Sequence, residues 1–244
     1  MLRPKIVCHM LTSLDGKVTG DFLFRPECAS ATEIYYRINR EKKCDGYMLG
    51  RVTMAESFTG GYYPDLTKYA PARHDPSPEI ERILGGKKEF YAIAFDTLGR
   101  LGYTSNRIKD PDGDEGYDGA RILPVLSEQA DERYLGYLEA MEIPYIIAGK
   151  KKIDLPLALF KLYALFGCRR LLLEGGSRIN GAFLRAGLVD EISLVVAPTV
   201  ADKKSKPLFY GAALSDFTLE KCETERGNLI LNYQRKEKET DNGI

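Results

Sequence analysis

Three short segments of the chain combine side chains that could hold a phosphate-bearing cofactor beside a carboxyl group. They are LTSLDGK at 11–17, LGRVT at 49–53 and LLLEGGSRING at 171–181, and each includes or follows a short apolar run. If those runs are parallel strands, the segments lie at the carboxyl edge of one sheet, where ligands bind in folds of this kind. The chemistry expected there is cofactor binding and proton transfer.

The first segment offers two hydroxyls and one carboxylate. Thr12 and Ser13 end the apolar run, and Asp15 follows them directly before a glycine. Asp-Gly is also a common turn pair and serine is a common cap, so an ordinary turn explains the pattern equally well.

The second segment offers a glycine, a guanidinium and a hydroxyl at a strand-to-helix junction. Gly50 permits close approach of backbone, and Arg51 and Thr53 could meet a phosphate at a helix N-terminus. A lone G-R-x-T is a weak pattern, and a plain turn with a solvated arginine is the alternative.

The third segment indicates a buried strand that ends at Glu174, then a Gly-Gly turn and the start of a helix. Gly175 and Gly176 make room for a pyrophosphate on the free amides of that helix start, with Ser177 and Arg178 in reach. The alternative is a structural turn in which Glu174 caps the helix or pairs with a base. Two glycines and a serine together favour the phosphate interpretation.

Neither histidine lies in a pattern that identifies a catalytic site. His9 stands between Cys8 and Met10 in the first apolar run, where it either faces a substrate or is an interior histidine with protein partners. His74 lies in a Pro-rich stretch and is expected at the surface. No H-E-x-x-H and no cluster of Cys and His ligands occurs, so a hydrolase triad or a metal centre has little support.

The elements that must position these residues follow from the alternation of apolar runs and helical patterns. We expect strands at 5–10, 46–49, 90–95, 121–125, 145–148, 170–173 and 191–197, and helices at 30–43, 128–141, 155–166 and 178–186. This alternation predicts an α/β fold with a mostly parallel sheet and helices on both faces. Runs at 217–224 and 229–234, joined by a Gly-Asn turn, predict a C-terminal antiparallel hairpin, which makes the sheet mixed.

No repeat and no shift of composition marks a linker, so one domain is expected over 1–236, with a charged, frayed tail over 237–244. Two long loops interrupt the pattern: a Gly-, Tyr- and Pro-rich stretch at 59–79, and an acidic turn cluster, KDPDGDEGYDG, at 109–119. Loops of this length are often functional, and surface disorder is an equal alternative for the acidic one.

The composition argues against several classes of partner. The 35 basic and 35 acidic residues leave no net field to attract nucleic acid or an anionic membrane. No apolar run approaches the roughly 20 residues of a membrane span, and no secretory signal is expected. Five cysteines, never spaced as C-x-x-C, favour a reducing cytoplasm over a disulfide framework.

In their order and separations, the three segments resemble the RibD C-terminal reductase family, whose fold is dihydrofolate reductase-like. The family's S-L-D-G-[KR] is matched at 13–17, its G-x-x-T at 50–53 and its D-[ST]-x-G-R-L at 96–101. The long pattern E-G-G-x-x-[LI]-N-x-x-L-L-x-A-G-L-V-D-E is followed closely at 174–191, and a later strand ends in the family's A-P. The resemblance covers nearly the whole chain, and its last block is highly specific.

The resemblance implies a homodimer that uses NADPH to reduce a pyrimidine- or pterin-like substrate. In the family's best-known role, the ribosylamino side chain of 5-amino-6-(5-phosphoribosylamino)uracil is reduced to ribitylamino in riboflavin synthesis. By position, the cofactor contacts are Thr12, Ser13, Gly50, Arg51, Val52, Thr53, Gly175, Gly176, Ser177, Arg178 and Ile179. The substrate side comprises His9, Asp15 and Glu174.

Hydride transfer also requires a proton at the substrate heteroatom. The cofactor carries the hydride, and the protein supplies orientation and charge. Asp15 or Glu174 could relay the proton if burial raises its pKa, and the sequence leaves the choice between them open.

The chain departs from the family where the substrate is held. The D-D-P-x-L-x-x-R segment that follows G-x-x-T is replaced by MAESFTGGYY at 54–63, and a W-I-[TS] element is replaced by CAS at 28–30. A lysine that riboflavin-pathway members carry in the first strand is also absent, its place being near His9. In the family these elements hold the phosphoribosyl group. The resemblance therefore leaves the identity of the substrate open, although it implies NADPH as the cofactor.

Several alternatives therefore remain. The same fold could reduce dihydrofolate, a pterin or a small carbonyl compound, since Tyr62, Tyr63 and Tyr69 could stack on a flat ring. A non-catalytic NADPH-binding protein is a second alternative. A methyltransferase that binds S-adenosylmethionine is a third, although its glycine turn would be expected after the first strand.

Overall fold

The computed structural model describes residues 2–73, 77–84 and 88–236. Within these residues nine strands form one sheet in the order β5-β4-β3-β2-β6-β1-β7-β9-β8. Strands β1 to β7 run parallel to one another, and β9 and β8 continue the sheet antiparallel. The strands are β1 Lys5–Thr12, β2 Gly46–Gly50, β3 Tyr91–Phe95, β4 Arg121–Leu126, β5 Ile146–Ile147, β6 Arg170–Leu173, β7 Glu191–Val196, β8 Phe217–Glu225 and β9 Asn228–Arg235.

The helices are α1 Ala29–Glu41, α2 Arg51–Met54, α3 Ser77–Leu84, α4 Glu132–Ala140, α5 Leu155–Leu165 and α6 Ser177–Arg185. Two of them begin at aspartates, because the carboxylates of Asp131 and Asp154 accept hydrogen bonds from first-turn amides. The predicted fold class is confirmed, including the C-terminal hairpin. The sequence predicted a helix start after Gly50, where α2 begins, but it did not predict α3, which begins inside the stretch expected to be a loop.

Helices cover both faces of the sheet, as predicted. Alternate strand residues such as Ile6, Cys8 and Leu173 pack against α5 and α6 on one face. On the opposite face Tyr47 and Leu172 belong to the cluster under α4, and α1 packs beside it over the far end of β1 and β7. Because both faces are buried, the parallel strands are almost continuously apolar.

Four adjacent strands, β3, β2, β6 and β1, end side by side at one edge of the sheet. Their last or next residues are Asp96, Gly50, Glu174 and Thr12, so the three segments singled out in the sequence converge there. The residues at this edge are therefore held in place by the buried central strands of the sheet.

The acidic loop at 109–119 folds into successive turns and carries Tyr117 into the interior, where its side chain is buried. The disorder alternative for this loop is wrong. His74 and the tail at 237–244 lie outside the described residues.

Candidate functional site

The second and third segments are in direct contact. The Gly50 amide donates a hydrogen bond of 2.7 Å to the carbonyl oxygen of Gly175. A Cβ added to Gly50 would lie 3.6 Å from Ile179 Cγ2, and one added to Gly176 would lie 3.0 Å from Thr53 Oγ1. The strand ends and the Gly-Gly turn thus form one continuous surface of backbone.

That surface fits the phosphates of a dinucleotide. Helix α6 begins after Gly176 without a side-chain cap, so its first amides are free of a capping oxygen. Gly175 has φ of 97°, a left-handed conformation that favours glycine. Arg51 and Val52, at the start of α2, are exposed beside this turn. The bare glycines and an uncapped helix start are the features a pyrophosphate needs.

The two predicted phosphate contacts that follow the Gly-Gly turn, Ser177 and Arg178, differ in exposure. The Ser177 hydroxyl donates to the carbonyl of Pro207 and the residue is buried, so its backbone amide rather than its hydroxyl is left to meet a phosphate. Arg178 is exposed, and its guanidinium carbon lies 5.7 Å from the centre of the Tyr210 ring. A cation at that place can reach a bound anion.

The loop at 199–211 ties the first segment to α6, a role that the sequence analysis missed. The Tyr210 amide donates to the Ser177 carbonyl at 3.0 Å, and the Leu208 amide donates to the Gly16 carbonyl at 3.0 Å. Asn180 adds a hydrogen bond of 3.3 Å from its side-chain amide to the Leu208 carbonyl. We call residues 199–211 the strap, since it joins both sides of the edge.

The first segment forms a tight turn whose carboxylate points outward. Thr12 and Ser13 are buried, and the Ser13 hydroxyl donates to Asp15 at 2.6 Å. The Ala201 amide donates to the same carboxylate at 3.0 Å. These bonds, led by that from Ser13, lower the pKa of Asp15, which is exposed. Asp15 is therefore ionised at neutral pH. It accepts a hydrogen bond from the strap and carries no proton to donate.

Glu174 has the opposite environment. Its carboxyl is buried, and its Oε1 accepts a hydrogen bond of 2.7 Å from the Asn39 side-chain amide. Burial raises the pKa of Glu174 to about 7, although Asn39, Tyr117 and Tyr35 oppose the rise. Its Oε2 is buried without a hydrogen-bond partner. Of the two candidate proton donors, Glu174 alone meets the condition of a raised pKa.

His9 is an interior side chain in this structure. Its Nδ1 lies 3.1 Å from Ser193 Oγ, its Nε2 lies 3.0 Å from the Tyr35 carbonyl oxygen, and its ring stacks on Tyr35 at 4.4 Å. Burial lowers the pKa of His9 to about 4, so the imidazole is neutral at neutral pH. The geometry favours the interior alternative, and contact of His9 with a substrate remains a prediction without structural support.

Three residues around Glu174 escaped the sequence analysis. Tyr35 and Asn39 come from α1 and Tyr117 from the acidic loop, and all three side chains face the carboxyl. They are separated from Glu174 by more than 50 residues each, so no spacing could have linked them to it.

The segment D-T-L-G-R-L contributes a buried carboxylate at the end of β3. The amides of Arg100 and Leu101 donate to Asp96 Oδ2, the second at 2.7 Å. Burial raises the pKa of Asp96, and the charges of Arg51 and Arg100 oppose that rise. Arg51 and Arg100 therefore both lie near this corner of the edge.

Across residues 2–73, 77–84 and 88–236, no group of three or more His, Cys, Asp and Glu could hold a metal ion. No helix in the described part of the chain is long and apolar enough to cross a bilayer. All five cysteines are free. A groove of about 670 Å³ between α1 and the β8–β9 hairpin lies away from the strand edge and is lined mostly by charged side chains.

The mixed sheet and its arrangement define a dihydrofolate reductase-like α/β protein. The chain matches the RibD C-terminal domain over residues 4–231, and it belongs to that family. The sequence-based assignment is thereby confirmed.

Named relatives agree with this membership. The chain is 24% identical to 2,5-diamino-6-ribosylamino-4(3H)-pyrimidinone 5′-phosphate reductase of Methanothermobacter thermautotrophicus, over 96% of this chain and 100% of the relative. It is 31% identical to the enzyme of the same name from Aquifex aeolicus, over 86% and 84% of the two chains.

Solved structures show the same fold. A pyrimidine reductase-like protein from Corynebacterium diphtheriae superposes with a TM-score of 0.67 at 18% identity, covering 96% of this chain and 93% of that one. The riboflavin biosynthesis reductase of Saccharomyces cerevisiae superposes with a TM-score of 0.59 at 14% identity, covering 97% and 91%.

Proposed function

We propose that the chain is an NADPH-dependent reductase of a 6-ribosylaminopyrimidine 5′-phosphate in riboflavin biosynthesis. The observation that carries the proposal is the buried carboxyl of Glu174 directly before the Gly-Gly turn, where burial raises its pKa to about 7. Two of the named relatives reduce a pyrimidinone of this class. The substrate ring is a uracil, as in the family's best-known reaction, or a 2-aminopyrimidinone, as in the named relatives.

The cofactor side of the site comprises the backbone surface at Gly50, Gly175 and Gly176, with Arg51 and Arg178 as exposed cations. When bound, NADPH supplies the hydride. The uncapped start of α6 would hold the pyrophosphate, and Thr53 would lie beside it. Thr12 and Ser13, buried at the end of β1, would close the nicotinamide side.

The substrate side is organised by Glu174. A carboxyl with a pKa near the working pH can donate its proton to a substrate nitrogen or oxygen and regain it from solvent. Asn39 fixes the orientation of the carboxyl through Oε1, which leaves Oε2 for the substrate. Asp15 would act only through the strap, since it is ionised and exposed.

A homodimer and a cytoplasmic location are proposed as family properties. Five free cysteines support a reducing compartment. Sedimentation velocity of the purified chain would test the dimer, and a monomer at micromolar concentration would contradict it.

The decisive assay follows the near-ultraviolet absorbance of NADPH with a panel of acceptors. The panel comprises the 2,5-diamino-6-ribosylamino-4(3H)-pyrimidinone and 5-amino-6-ribosylaminouracil phosphates, dihydrofolate and a simple aldehyde. Turnover is expected with a ribosylaminopyrimidine phosphate. Tight NADPH binding without turnover of any acceptor would favour the non-catalytic alternative and overturn the proposal.

Replacing Arg51 with alanine is expected to lower the preference for NADPH over NADH. A charge-assisted hydrogen bond contributes about 1.5–3 kcal/mol, so the preference should fall about 10- to 150-fold if Arg51 contacts the 2′-phosphate. The measurement is kcat/KM with each coenzyme. Arg100→Ala is the matched control, because Arg100 lies near the same Asp96. Equal changes in both variants would contradict a specific role for Arg51.

A further inference from the structure

The side chain of Tyr117 fills an aromatic pocket beside Glu174. Its ring centre lies 5.0 Å from that of Tyr47, 5.7 Å from that of Tyr36 and 5.9 Å from that of Phe58. These three rings come from β2, from α1 and from the turn that follows α2. We call Tyr36, Tyr47 and Phe58 the aromatic pocket; its walls are shaped for one flat ring.

The polar end of Tyr117 is held by the same amide that orients Glu174. Asn39 Nδ2 donates to Tyr117 Oη at 3.2 Å and to Glu174 Oε1 at 2.7 Å. The Tyr117 hydroxyl also lies 3.4 Å from that of Tyr35. The floor of the pocket therefore presents an amide donor and a carboxyl, and Glu174 Oε2 is buried there without a partner.

This combination suits a particular class of ligand. A flat heterocycle with adjacent N–H and C=O groups can stack in the aromatic pocket and pair its polar edge with a carboxyl and an amide. A phenol presents a single hydroxyl, whereas such a heterocycle presents a donor and an acceptor side by side. An unsatisfied buried acceptor is unfavourable, and a ligand that supplies a donor relieves it.

Near its tip, the acidic loop that carries Tyr117 contacts α1 through Arg40 and Asn39. Arg40 pairs with Asp114 across the surface, and the Asp114 carboxylate accepts from the Gly116 amide at 2.8 Å. Gly116 packs closely on Asn39, since a Cβ added there would lie 2.6 Å from Asn39 Oδ1. Gly113 and Gly119 have positive φ, so the loop turns at glycines on both sides of its tip.

We propose that Tyr117 is a placeholder for the pyrimidine ring of the substrate, which binds in the aromatic pocket when the acidic loop moves outward. The identity of the ring rests on the proposed reductase function. A ligand can therefore bind only if it displaces Tyr117. The site accepts ligands that replace both the ring of Tyr117 and the polar contact of its hydroxyl. Variants that detach the loop raise the affinity for such a ligand, because less of the binding free energy is used to move the loop outward.

The first experiment measures binding of 2-amino-4-hydroxypyrimidine by calorimetry, without NADPH. Tyr117→Ala is expected to bind this probe at least about tenfold more tightly than the wild type. Phenol shows how much of the binding comes from filling the cavity alone. 1,3-Dimethyluracil shows how tightly a pyrimidine ring without N–H donors binds. Tighter binding of the aminopyrimidine than of either control probe is expected. Equal affinity for all three would overturn the claim that the pocket recognises a polar edge.

The second experiment keeps Tyr117 and loosens the loop. Asp114→Asn removes a partly exposed ion pair and is expected to tighten probe binding by up to about fivefold. Gly116→Ala pushes the loop away from Asn39 and is expected to act in the same direction. Tyr163→Ala, on α5 at the other face of the sheet, is the matched control and should leave binding unchanged. Weaker binding in both loop variants would overturn the proposal.

Hydrogen exchange gives a readout that needs no variant. Saturating the wild type with the aminopyrimidine should increase exchange of the amides of residues 110–118 while it protects α1. Increased protection of the loop would show that Tyr117 stays in place over a bound ring, which would overturn its role as a placeholder. These readouts involve no turnover, so their failure is distinguishable from failure of the reductase assay.

Discussion

Replacing Glu174 with glutamine is expected to lower kcat for NADPH oxidation by about two to four orders of magnitude, the usual contribution of a positioned acid. Glutamine has nearly the same shape and can still accept from Asn39 at Oε1. It has no acidic proton, so the proton that accompanies the hydride must come from elsewhere. NADPH affinity, measured by fluorescence titration, should change little because the amides of α6 stay in place.

Asp15→Asn is the matched control for this variant. Asp15 carries the other carboxyl of the predicted pair, but its pKa is lowered and it is exposed. Its replacement should affect kcat by less than about tenfold, because the Asn side-chain oxygen can still accept from the Ala201 amide and only the charge of the acceptor is lost. A large loss in Asp15→Asn together with wild-type activity in Glu174→Gln would reverse the assignment of the acid.

The pH dependence of both activity and stability follows from the same carboxyl. Because the pKa of Glu174 is about 7, its neutral form prevails below that value, and kcat should fall as pH rises through it. The folded pKa is raised above the ordinary value of 4.5, so the stability that the neutral form contributes is complete below about 4.5 and is lost as pH rises through about 7. Urea unfolding at pH 5 and 8 should show a loss of up to about 3 kcal/mol that Glu174→Gln abolishes. An equal pH response in both proteins would contradict the raised pKa.

The fold followed from the sequence because its strands are buried on both faces and its helices are regular. Apolar runs such as LLL at 171–173 have few alternatives to a central parallel strand, and the turn before Asn228 fixes the hairpin. Strands β1, β6 and β7 therefore lie within two residues of their predicted bounds. Helix α2 has four residues, too few to show a helical period, so only its start after Gly50 was expected.

The candidate site was predictable in its backbone half and in the carboxyl of Glu174, but not in the surroundings of that carboxyl. Gly50, Gly175 and Gly176 are visible in a sequence because glycine marks places where backbone comes close to a ligand or a neighbouring chain segment. The surroundings of Glu174 are not, since Asn39 and Tyr117 reach it through the tertiary fold. The strap was missed for the same reason: its contacts with α6 are made mainly by backbone carbonyls and amides, which leave no mark in side-chain spacing.

Gly181→Ala is expected to destabilise the protein although it places a better helix former inside α6. Propensity alone would stabilise the helix by about 1 kcal/mol. A Cβ at this buried position, however, would lie 1.9 Å from the Tyr210 carbonyl oxygen and 2.8 Å from its carbon. Backbone cannot rotate away as a side chain can, so the strap must move, at a cost of about 1–3 kcal/mol. Urea unfolding should therefore show a net loss of up to about 2 kcal/mol.

The same change should weaken NADPH binding, because Tyr210 belongs to the strap that joins α6 to Gly16. Ala182→Gly is the matched control: it removes one methyl from the next position and should cost about 1 kcal/mol of stability without affecting the cofactor. Arg185→Ala separates the two effects, since Arg185 donates to the carbonyls of Tyr210 and Gly211 from the exposed end of α6. It should loosen the strap and lower cofactor affinity without the clash. If Gly181→Ala stabilises the fold and Arg185→Ala leaves NADPH affinity unchanged, the strap does not support the cofactor site.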